Sequence, residues 1–496
     1  MHHRNNTFHH CLRNGWRNWE NESVGGEAEH EIFQGITGIK KIILTICKYF
    51  RKEKCNLMSR NYFLMNKNQR LLEFQVEETL LGENIIQVNS FSDLRPIGFT
   101  DIATWLNQRN YAKHKEHFRQ WLNEWGINTT KGFIEITHCL GINDCLWVRE
   151  EDSELDWETV NLYHNQFTDV AQRTAFESGL FGLQLSSTDI SPEFTSEGTA
   201  PKCWKKEGEN ISLYKANLSG AVNRGLEANA EYISSMIARQ IVNENSIPYD
   251  LVMFKGKLCS KCQLFTSEQY GYVPFYKFID ANKTHNLNDI LRICSDMGYE
   301  DECRKMILVD SIVFNQDRHM GNFGFMVDNE TFRIVGFAPL FDYNLSMLCG
   351  ALDSDIKTVE AFHKYEDDYQ VGHKLGGKFS NVGKAILTPD IKETVPQSIS
   401  FPRHSRYNLN DERVEKLTDI IEENLSKILG KQQYYVKYNS DILQISESFM
   451  HEYDLDEDTA LEMAEEVGNN MKETGNTIED AVEEVKDNYI QTGRSR

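Results

Sequence analysis

The sequence lacks several features that would assign it to a membrane, to nucleic acid or to an oxidising compartment. No run of about 18 apolar residues occurs in the 496-residue chain, so no transmembrane helix is expected. Lys and Arg number 53 against 75 Asp and Glu, a formal net charge of -22. A chain without surplus cations is not expected to bind a phosphate backbone directly. The 11 cysteines form no regular framework, which is typical of reduced thiols and predicts a cytoplasmic protein.

Metal-binding patterns are equally scarce. Cys259–Cys262 is a single C-x-x-C without a second pair at zinc-finger distance. It falls on a predicted strand, where thiols three positions apart point to opposite faces, so both are interpreted as core cysteines. His363, His373 and His404 are scattered through a polar region and are interpreted as solvated loop residues.

Changes in composition divide the chain into five segments. Residues 1–64 are interpreted as a disordered leader or a wrongly assigned start, and residues 65–190 as an N-terminal accessory module. Residues 191–280 alternate strands with one helix, residues 281–435 are largely helical, and residues 436–496 form an acidic helical tail. The tail is interpreted as a helical appendage that packs on the body; the alternative is a docking segment for a basic protein or a mimic of nucleic-acid charge.

Individual elements follow from apolar spacing. Alternation predicts a strand over Ile211–Ala216, and helical spacing predicts a helix over Leu226–Ile241. Gly132–Val148 is predicted to be extended around a turn at Gly141–Asp144. The core anchors expected in the N-terminal module are the aromatic residues Trp147, Trp157 and Phe167.

The densest polar cluster lies between two apolar elements. Asn315–Asn322 follows an apolar helix and precedes a predicted hairpin, Phe323–Val327 with Phe332–Phe337, which leads to Asp342. Unpaired polar groups in a core cost a few kcal/mol each, so a polar cluster between two buried elements indicates a functional role. Phosphoryl transfer is such a role, because one carboxylate can orient the attacking hydroxyl while an Asn and a second carboxylate hold magnesium.

A lysine upstream strengthens this interpretation. Lys215 lies in the middle of its strand, and the following helix offers Glu227 and Glu231 one turn apart on the same face. A strand lysine held by a helix carboxylate is the usual arrangement for binding ATP phosphates in kinases.

These motifs resemble those of one family. Asn-x-Asp-Arg-His-x-x-Asn-Phe-Gly at Asn315–Gly324, followed by Ala-Pro-Leu-Phe-Asp at Ala338–Asp342, resembles the catalytic and metal-binding signature of HipA-like serine/threonine protein kinases. Ser196–Lys202 is similar to the Ser-x-Gly-x-x-x-Lys phosphate loop of that family. The resemblance covers roughly Thr137 to Leu429 and fits a branch common in Gram-positive bacteria and mobile elements.

The resemblance implies an α+β fold with two kinase-like lobes, the N-lobe over residues 191–280 and the C-lobe over residues 281–435. ATP and Mg²⁺ are the implied cofactors, and a protein hydroxyl is the implied acceptor. The implied roles are catalytic base for Asp317, magnesium ligands for Asn322 and Asp342, phosphate binding for Lys215, Gly198 and Lys202, and positioning of Lys215 for Glu231.

Further implications concern regulation and partners. Ser196 matches the autophosphorylated loop serine of the family, with the adjacent Thr195 as an alternative. His319 is interpreted as a structural residue of the catalytic loop. A small helix-turn-helix antitoxin-like partner would suit the family, and any contact with DNA would pass through it.

Two other readings stay open at this point. Asp-Arg-His-x-x-Asn also resembles the catalytic loop of phosphatidylinositol kinases, although the acidic chain does not suit an anionic membrane. The non-enzymatic alternative is a nucleotide-binding interaction module within a toxin–antitoxin-like pair.

Overall fold

The computed structural model describes most of the chain between residues 59 and 492. The described residues are 59–79, 82–89, 93–110, 129–168, 176, 192, 201–219, 223–280, 283, 285–396, 398–430, 435–438, 445, 448–450, 453, 455, 459–460, 463–464, 466–468, 470 and 478–492. They belong almost entirely to one compact unit, residues 60–76 and 85–496; of the other unit, only residues 59, 77–79 and 82–84 are described. Most of the predicted leader and the loop residues Thr195, Ser196 and Gly198 lie outside the described part.

The N-terminal module is built on an antiparallel sheet. Its strands are β1 (Ser59–Asn66), β2 (Gln69–Thr79), β3 (Gly82–Gln87) and β4 (Leu146–Glu150), in the order β3-β2-β1-β4. The first strand therefore begins inside the segment predicted as a leader. Helix α1 (Ile102–Arg109) buries Ile102, Trp105 and Leu106 against this sheet.

The prediction of extended structure over Gly132–Val148 was wrong in its first half. Thr130–Thr137 forms helix α2, because the Thr129 side chain caps its first turn by accepting a hydrogen bond from the amide of Gly132. The helix buries Phe133, Ile134 and Thr137 as one face. The cap and the apolar face favour a helix over the extended structure that was predicted.

The predicted core anchors lie beside the second half of this segment. Trp147 and Trp157 are 0% and 2% exposed, and Phe167 packs against the same cluster while remaining partly exposed. Trp157 begins the short helix α3 (Trp157–Val160). Between α2 and β4, the turn at Gly141–Asp144 is confirmed.

The small lobe follows as a second antiparallel sheet with one helix. Its strands β5 (Lys202–Glu207), β6 (Asn210–Ala216), β7 (Tyr249–Phe254) and β8 (Lys257–Gln263) lie in the order β5-β6-β8-β7. Helix α4 (Glu227–Val242) packs on this sheet. The register places Lys215 opposite Lys202 on one side and opposite Ser260 on the other.

A three-stranded sheet joins the small lobe to the helical body. Strand β9 (Tyr270–Pro274) pairs with β10 (Gly324–Asp328), which pairs with β11 (Ile334–Phe337). The predicted hairpin is thus confirmed, with a third strand from the segment after β8. The helices of the body are α5 (Leu287–Asp296), α6 (Glu300–Ile312), α7 (Val359–Asp368), α8 (Phe379–Ala385), α9 (Pro389–Glu393) and α10 (Asp411–Leu429).

Helix α6 lies at the centre of this body. It packs against α5, α8 and α10 and carries side chains that are 0% exposed, among them Met306, Ile307 and Ile312. The first residues after α6, Val313 and Phe314, therefore pack in the largest apolar cluster among the described residues. This is the mixed α+β architecture with two lobes that the sequence predicted.

Two short parallel strands, β12 (Ser398–Phe401) and β13 (Tyr435–Tyr438), close the body. In the acidic tail, helix α11 (Ile478–Thr492) contributes Ala481 and Val485 to a small cluster with Phe449, Met463 and Val467. The tail therefore has a core of its own. Of the helices described, none has the length and apolar character needed to cross a bilayer.

The β9–β10 pairing requires glycine at position 324. A Cβ built there would lie 2.2 Å from the Val273 carbonyl oxygen and 2.9 Å from the Pro274 Cα, both of them backbone atoms. Such crowding costs on the order of 1–3 kcal/mol, so Gly324→Ala is expected to lower the melting temperature by roughly 5 °C.

The matched control is Gly336→Ala, on β11 of the same sheet, where a Cβ would meet nothing within 4 Å. Thermal unfolding followed by circular dichroism measures both. Equal melting temperatures for the two variants would contradict the prediction, because they would show that a Cβ at position 324 fits between β9 and β10 without lowering stability.

Candidate active site

Lys215 joins the two lobes through its ammonium group. Its Nζ lies 2.7 Å from Glu231 Oε1 on α4 and 2.7 Å from Asp342 Oδ1, which follows β11. Burial by itself would lower the pKa of Lys215, but the carboxylates of Asp342 and Glu231 outweigh it and raise the pKa. The lysine is therefore charged and held between a small-lobe and a large-lobe carboxylate.

Glu231, rather than Glu227, is the partner of this lysine. Its second oxygen, Oε2, accepts a hydrogen bond of 2.5 Å from Ser260 Oγ, and the residue is 0% exposed. Glu227 instead accepts hydrogen bonds from the amides of Leu218 and Gly225 and so stabilises the turn before α4. Of the two carboxylates that the helix offers, the fold brings Glu231 to Lys215, as predicted.

Asp342 has a constrained backbone. Its φ of 62° lies in the left-handed region, which costs a non-glycine residue free energy and is common at functional sites. Burial raises the pKa of its carboxyl, but Lys215, with a smaller effect from Lys202, lowers it to about 2. Asp342 is therefore ionised at neutral pH.

Arg318 holds the loop after α6 together. Its Nε donates 2.8 Å to Asp310 Oδ2 and its Nη2 donates 3.0 Å to Asp310 Oδ1, with both side chains 0% exposed. Its Nη1 donates 2.5 Å to the carbonyl of Asn322 and 2.6 Å to that of Phe341. One guanidinium thus ties helix α6, the Asn322 end of the loop and the residue before Asp342 into a single arrangement.

Asp317 and Asn322 lie at the two ends of this tight loop. Asn322 Nδ2 donates 3.0 Å to the Asp317 carbonyl, and the Asp317 amide donates 3.0 Å to Asn315 Oδ1. Half-burial raises the pKa of the Asp317 carboxyl, and the charge of Asp342 adds to the rise while His319 opposes it. A carboxylate with a raised pKa accepts a proton more readily, as a general base must.

His319 makes the kind of contact that the sequence predicted. Its Nδ1 accepts a 3.0 Å hydrogen bond from the amide of Gly321, so the ring braces the loop. This contact supports the structural interpretation of His319.

His373 was interpreted as a solvated loop residue, and this was wrong. It is 3% exposed, and its Nε2 lies 3.9 Å from Asp310 Oδ2, the carboxylate that holds Arg318. Its Nδ1 accepts a hydrogen bond from the Leu375 amide. Burial, together with Arg318, lowers the pKa of His373 to about 4 although Asp310 opposes the change, so the ring is neutral at pH 7. The sequence did not indicate the contact between His373 and Asp310, because the two residues are far apart along the chain.

The other two histidines of that region are also paired. His363 Nε2 lies 3.1 Å from Glu423 Oε1, and His404 Nε2 lies 3.1 Å from Asp250 Oδ1. The cysteines Cys259 and Cys262 are buried in two different clusters on opposite faces of β8, which confirms them as core residues.

A cleft of about 230 Å³ opens between these elements. One end is polar and contains Lys202, Lys215, Asn322 and Asp342. The apolar lining comes from both lobes and includes Leu213, Ile247, Tyr249, Leu264, Phe265 and Phe341. Phe265 packs on Phe341 at 5.3 Å between ring centroids. A polar end beside an aromatic wall suits a ligand with a charged and a planar part.

The polar end fits a divalent cation. Asn322 Oδ1 and Asp342 Oδ2 accept no hydrogen bond from any part of the chain that the structure describes, whereas the other polar atom of each side chain is bonded. No group of three or more His, Cys, Asp or Glu side chains suited to a metal occurs among the described residues. Oxygen ligands from only two side chains suit Mg²⁺, which keeps water or phosphate oxygens as its remaining ligands.

The N-terminal module reaches this cleft through the turn Gly141–Asp144. The Ile142 carbonyl accepts a 2.6 Å hydrogen bond from Thr266 Oγ1, and the Asn143 carbonyl accepts a 2.7 Å bond from the amide of Tyr272. Trp105, Gln108, Arg109 and the turn line the cleft beside residues of the two lobes. The sequence marked the turn but gave no indication of this position.

The predicted site residues therefore separate into two groups. Lys202, Lys215, Asn322 and Asp342 line one cleft, Glu231 is bonded to Lys215, and the backbone carbonyl of Asp317 is bonded to Asn322. Gly198, Ser196 and Thr195 lie outside the described residues.

Comparison with known proteins gives one sequence match and two structural ones. Over 125 residues, 22% of this chain, the sequence is 30% identical to serine/threonine-protein kinase CtkA of Helicobacter pylori strain J99. The match spans 38% of the length of that kinase. No protein-family model matches the chain.

The crystal structure of CtkA from Helicobacter pylori has a TM-score of 0.37 and 18% identity, covering 48% of this chain and 91% of that chain. The toxin–antitoxin protein HipA of Shewanella oneidensis MR-1, solved with HipB and operator DNA, has a TM-score of 0.38 and 12% identity, covering 75% and 96%. Both scores lie below 0.5, so the relationship rests on the sequence match. The chain is related to a serine/threonine-protein kinase, as its motifs predicted.

The buried ion pair between Arg318 and Asp310 is expected to make a large contribution to the stability of the fold. Arg318→Ala leaves Asp310 buried without its counter-charge, which should cost about 3–5 kcal/mol and lower the melting temperature by roughly 10 °C. Arg318→Ala combined with Asp310→Asn should cost less than the sum of the two single changes, because the uncompensated charge is gone. Strict additivity in thermal unfolding would contradict the pairing.

His373 is expected to make stability depend on pH. Its folded pKa of about 4 lies below the value of about 6.5 for an unfolded chain, so only the unfolded chain gains a proton between these values. This contribution is complete above pH 6.5 and is lost as pH falls towards 4, by roughly 2–3 kcal/mol.

The measurement compares melting temperatures at pH 7.5 and pH 5.0. His373→Asn, whose side-chain oxygen can still accept from the Leu375 amide, should show a smaller difference than the unmodified chain. His285→Asn, at a loop position near Asp280, is the control. The same pH difference in all three proteins would contradict this role for His373.

Proposed function

We propose that the chain is an ATP- and Mg²⁺-dependent serine/threonine protein kinase that transfers the γ-phosphoryl group of ATP to a protein hydroxyl. The observation that carries the proposal is the Lys215 ammonium between Glu231 and Asp342, at the polar end of a cleft that also contains Asn322. Sequence relationship to a serine/threonine-protein kinase supports the same activity.

In this proposal each side chain has a separate task. Lys215, held by Glu231, binds phosphate oxygens, and Lys202 directly opposite it adds a second cation. The aromatic wall of Phe265 and Phe341 takes the base. Asn322 and Asp342 hold Mg²⁺, which neutralises charge on the phosphates when it is bound.

Asp317 acts on the acceptor. Its carboxylate orients the attacking hydroxyl and accepts its proton as the oxygen–phosphorus bond forms and ADP leaves. The raised pKa of Asp317 suits this task, and the low pKa of Asp342 suits a permanently ionised metal ligand. Two carboxyls with pKa values shifted in opposite directions thereby serve two functions.

Regulation and partners belong to the same proposal. Phosphorylation of Ser196, or of the adjacent Thr195, would place a charge of about -2 in the loop that precedes Lys202 and would displace the loop from the phosphate site. The protein is proposed to act in the cytoplasm, with a small helix-turn-helix protein as partner. The HipA structure named above contains HipB and operator DNA and is compatible with such a pairing.

The activity test uses purified full-length chain with ATP and Mg²⁺. Intact-mass analysis and peptide mapping should find added phosphate on Ser196 or Thr195. Asp317→Asn should reduce the rate by at least about 100-fold, because general-base catalysis contributes that much. It should leave ATP binding nearly unchanged.

Glu330→Gln, an exposed carboxylate at the turn of the β10–β11 hairpin, is the matched control and should phosphorylate at the normal rate. Absence of both phosphate and any ATP-dependent thermal shift in the unmodified chain would favour a non-catalytic interaction module instead.

A further inference from the structure

The sugar of a bound nucleotide has a restricted position in this cleft. If the proposed function holds, the base lies on Phe265 and Phe341 and the phosphates lie at Asn322 and Lys215, so the ribose must lie between them. Tyr272 borders that interval: its ring contacts Phe265 at 5.7 Å and Phe341 at 5.4 Å between centroids. Its hydroxyl donates 2.8 Å to the carbonyl of Gly321, the residue before Asn322.

The N-terminal module is attached at the same residue. The amide of Tyr272 donates to the Asn143 carbonyl, and the next residue along the module is Asp144. A Cβ on the neighbouring Gly271 would lie 2.7 Å from that carbonyl, so the two backbones are in close contact. Both Asn143 and Asp144 line the cleft.

Asp144 is held in place through one of its two carboxylate oxygens. Its Oδ1 accepts hydrogen bonds from Arg109 Nη2 and, at 2.9 Å, from the Leu146 amide. Its Oδ2 accepts none from the described residues, and its side chain is 23% exposed. Arg109 is itself fixed, because it packs over Trp105 and fills the space beside Gly141. The carboxylate therefore keeps one oxygen available at the edge of the cleft.

We propose that Asp144 of the N-terminal module accepts a hydrogen bond from a ribose hydroxyl of the nucleotide, so that the module completes the nucleotide site. The inference rests on the proposed function. It assigns to the module a part in nucleotide selection, since a carboxylate oxygen accepts from a hydroxyl group but finds no donor where that hydroxyl is missing. The ligand class is a ribonucleoside triphosphate rather than its deoxy counterpart.

The experiment measures the affinity of the full-length chain for Mg²⁺-bound ATP, 2′-deoxy-ATP and 3′-deoxy-ATP by isothermal titration. The unmodified chain should bind ATP about fivefold to tenfold more tightly than at least one deoxy analogue, the range for a hydrogen bond to a partly exposed charged group. In Asp144→Ala that preference should fall below about twofold, through weaker binding of ATP and not tighter binding of the analogue.

Asp152→Asn, an exposed carboxylate on the same module, is the matched control and should keep the full preference. Equal affinity of the unmodified chain for all three nucleotides would overturn the inference without any variant, and so would a preference that Asp144→Ala retains. Either result leaves the kinase proposal intact, provided that ATP binds. Failure of the unmodified chain to bind any of the three would overturn both proposals.

Discussion

The buried pair of Arg318 and Asp310 is the interaction on which the geometry of the site depends, because it fixes two separate loops from one point. Asp310 is part of α6, the helix at the centre of the large apolar core, and both of its oxygens accept from the guanidinium. The remaining nitrogen of that guanidinium then bonds the carbonyls of Asn322 and Phe341. A planar group with five donors can do this, whereas a lysine in the same place could not. The neutral ring of His373 closes the space around Asp310 without adding a second positive charge.

The second constraint is the fixed position of α4. The helix carries Glu231, and other side chains along it are hydrogen-bonded to the large lobe at several points. Ser234 Oγ lies 2.5 Å from Ser346 Oγ, Gln240 makes two hydrogen bonds to the backbone of Ser400, and Tyr232 Oη donates to the Arg403 carbonyl. These bonds hold α4 in the position that brings Glu231 to Lys215.

The N-terminal module adds a third element to an arrangement of two lobes. It bonds the segment after β8 through side chains as well as through the Gly141–Asp144 turn: Trp157 Nε1 and His164 Nε2 both contact the carboxylate of Glu268. Cys145 Sγ also donates to the Glu268 carbonyl. These contacts fix the module against the residues that line the cleft. In our proposal, the second carboxylate oxygen of Asp144 then accepts a hydrogen bond from the ribose of the nucleotide.

Much of the site was readable in the sequence because its residues are close together along the chain or follow a simple period. The Asn315–Asn322 loop, the hairpin that returns to Asp342, and the strand that carries Lys215 are local patterns, and local patterns are set by short-range sterics and apolar spacing. The burial of His373 against Asp310 and the docking of Gly141–Asp144 beside Tyr272 join residues 63 and 129 positions apart. Only the packed tertiary structure could decide these, because such contacts depend on how helices and sheets stack and not on the preferences of any single segment.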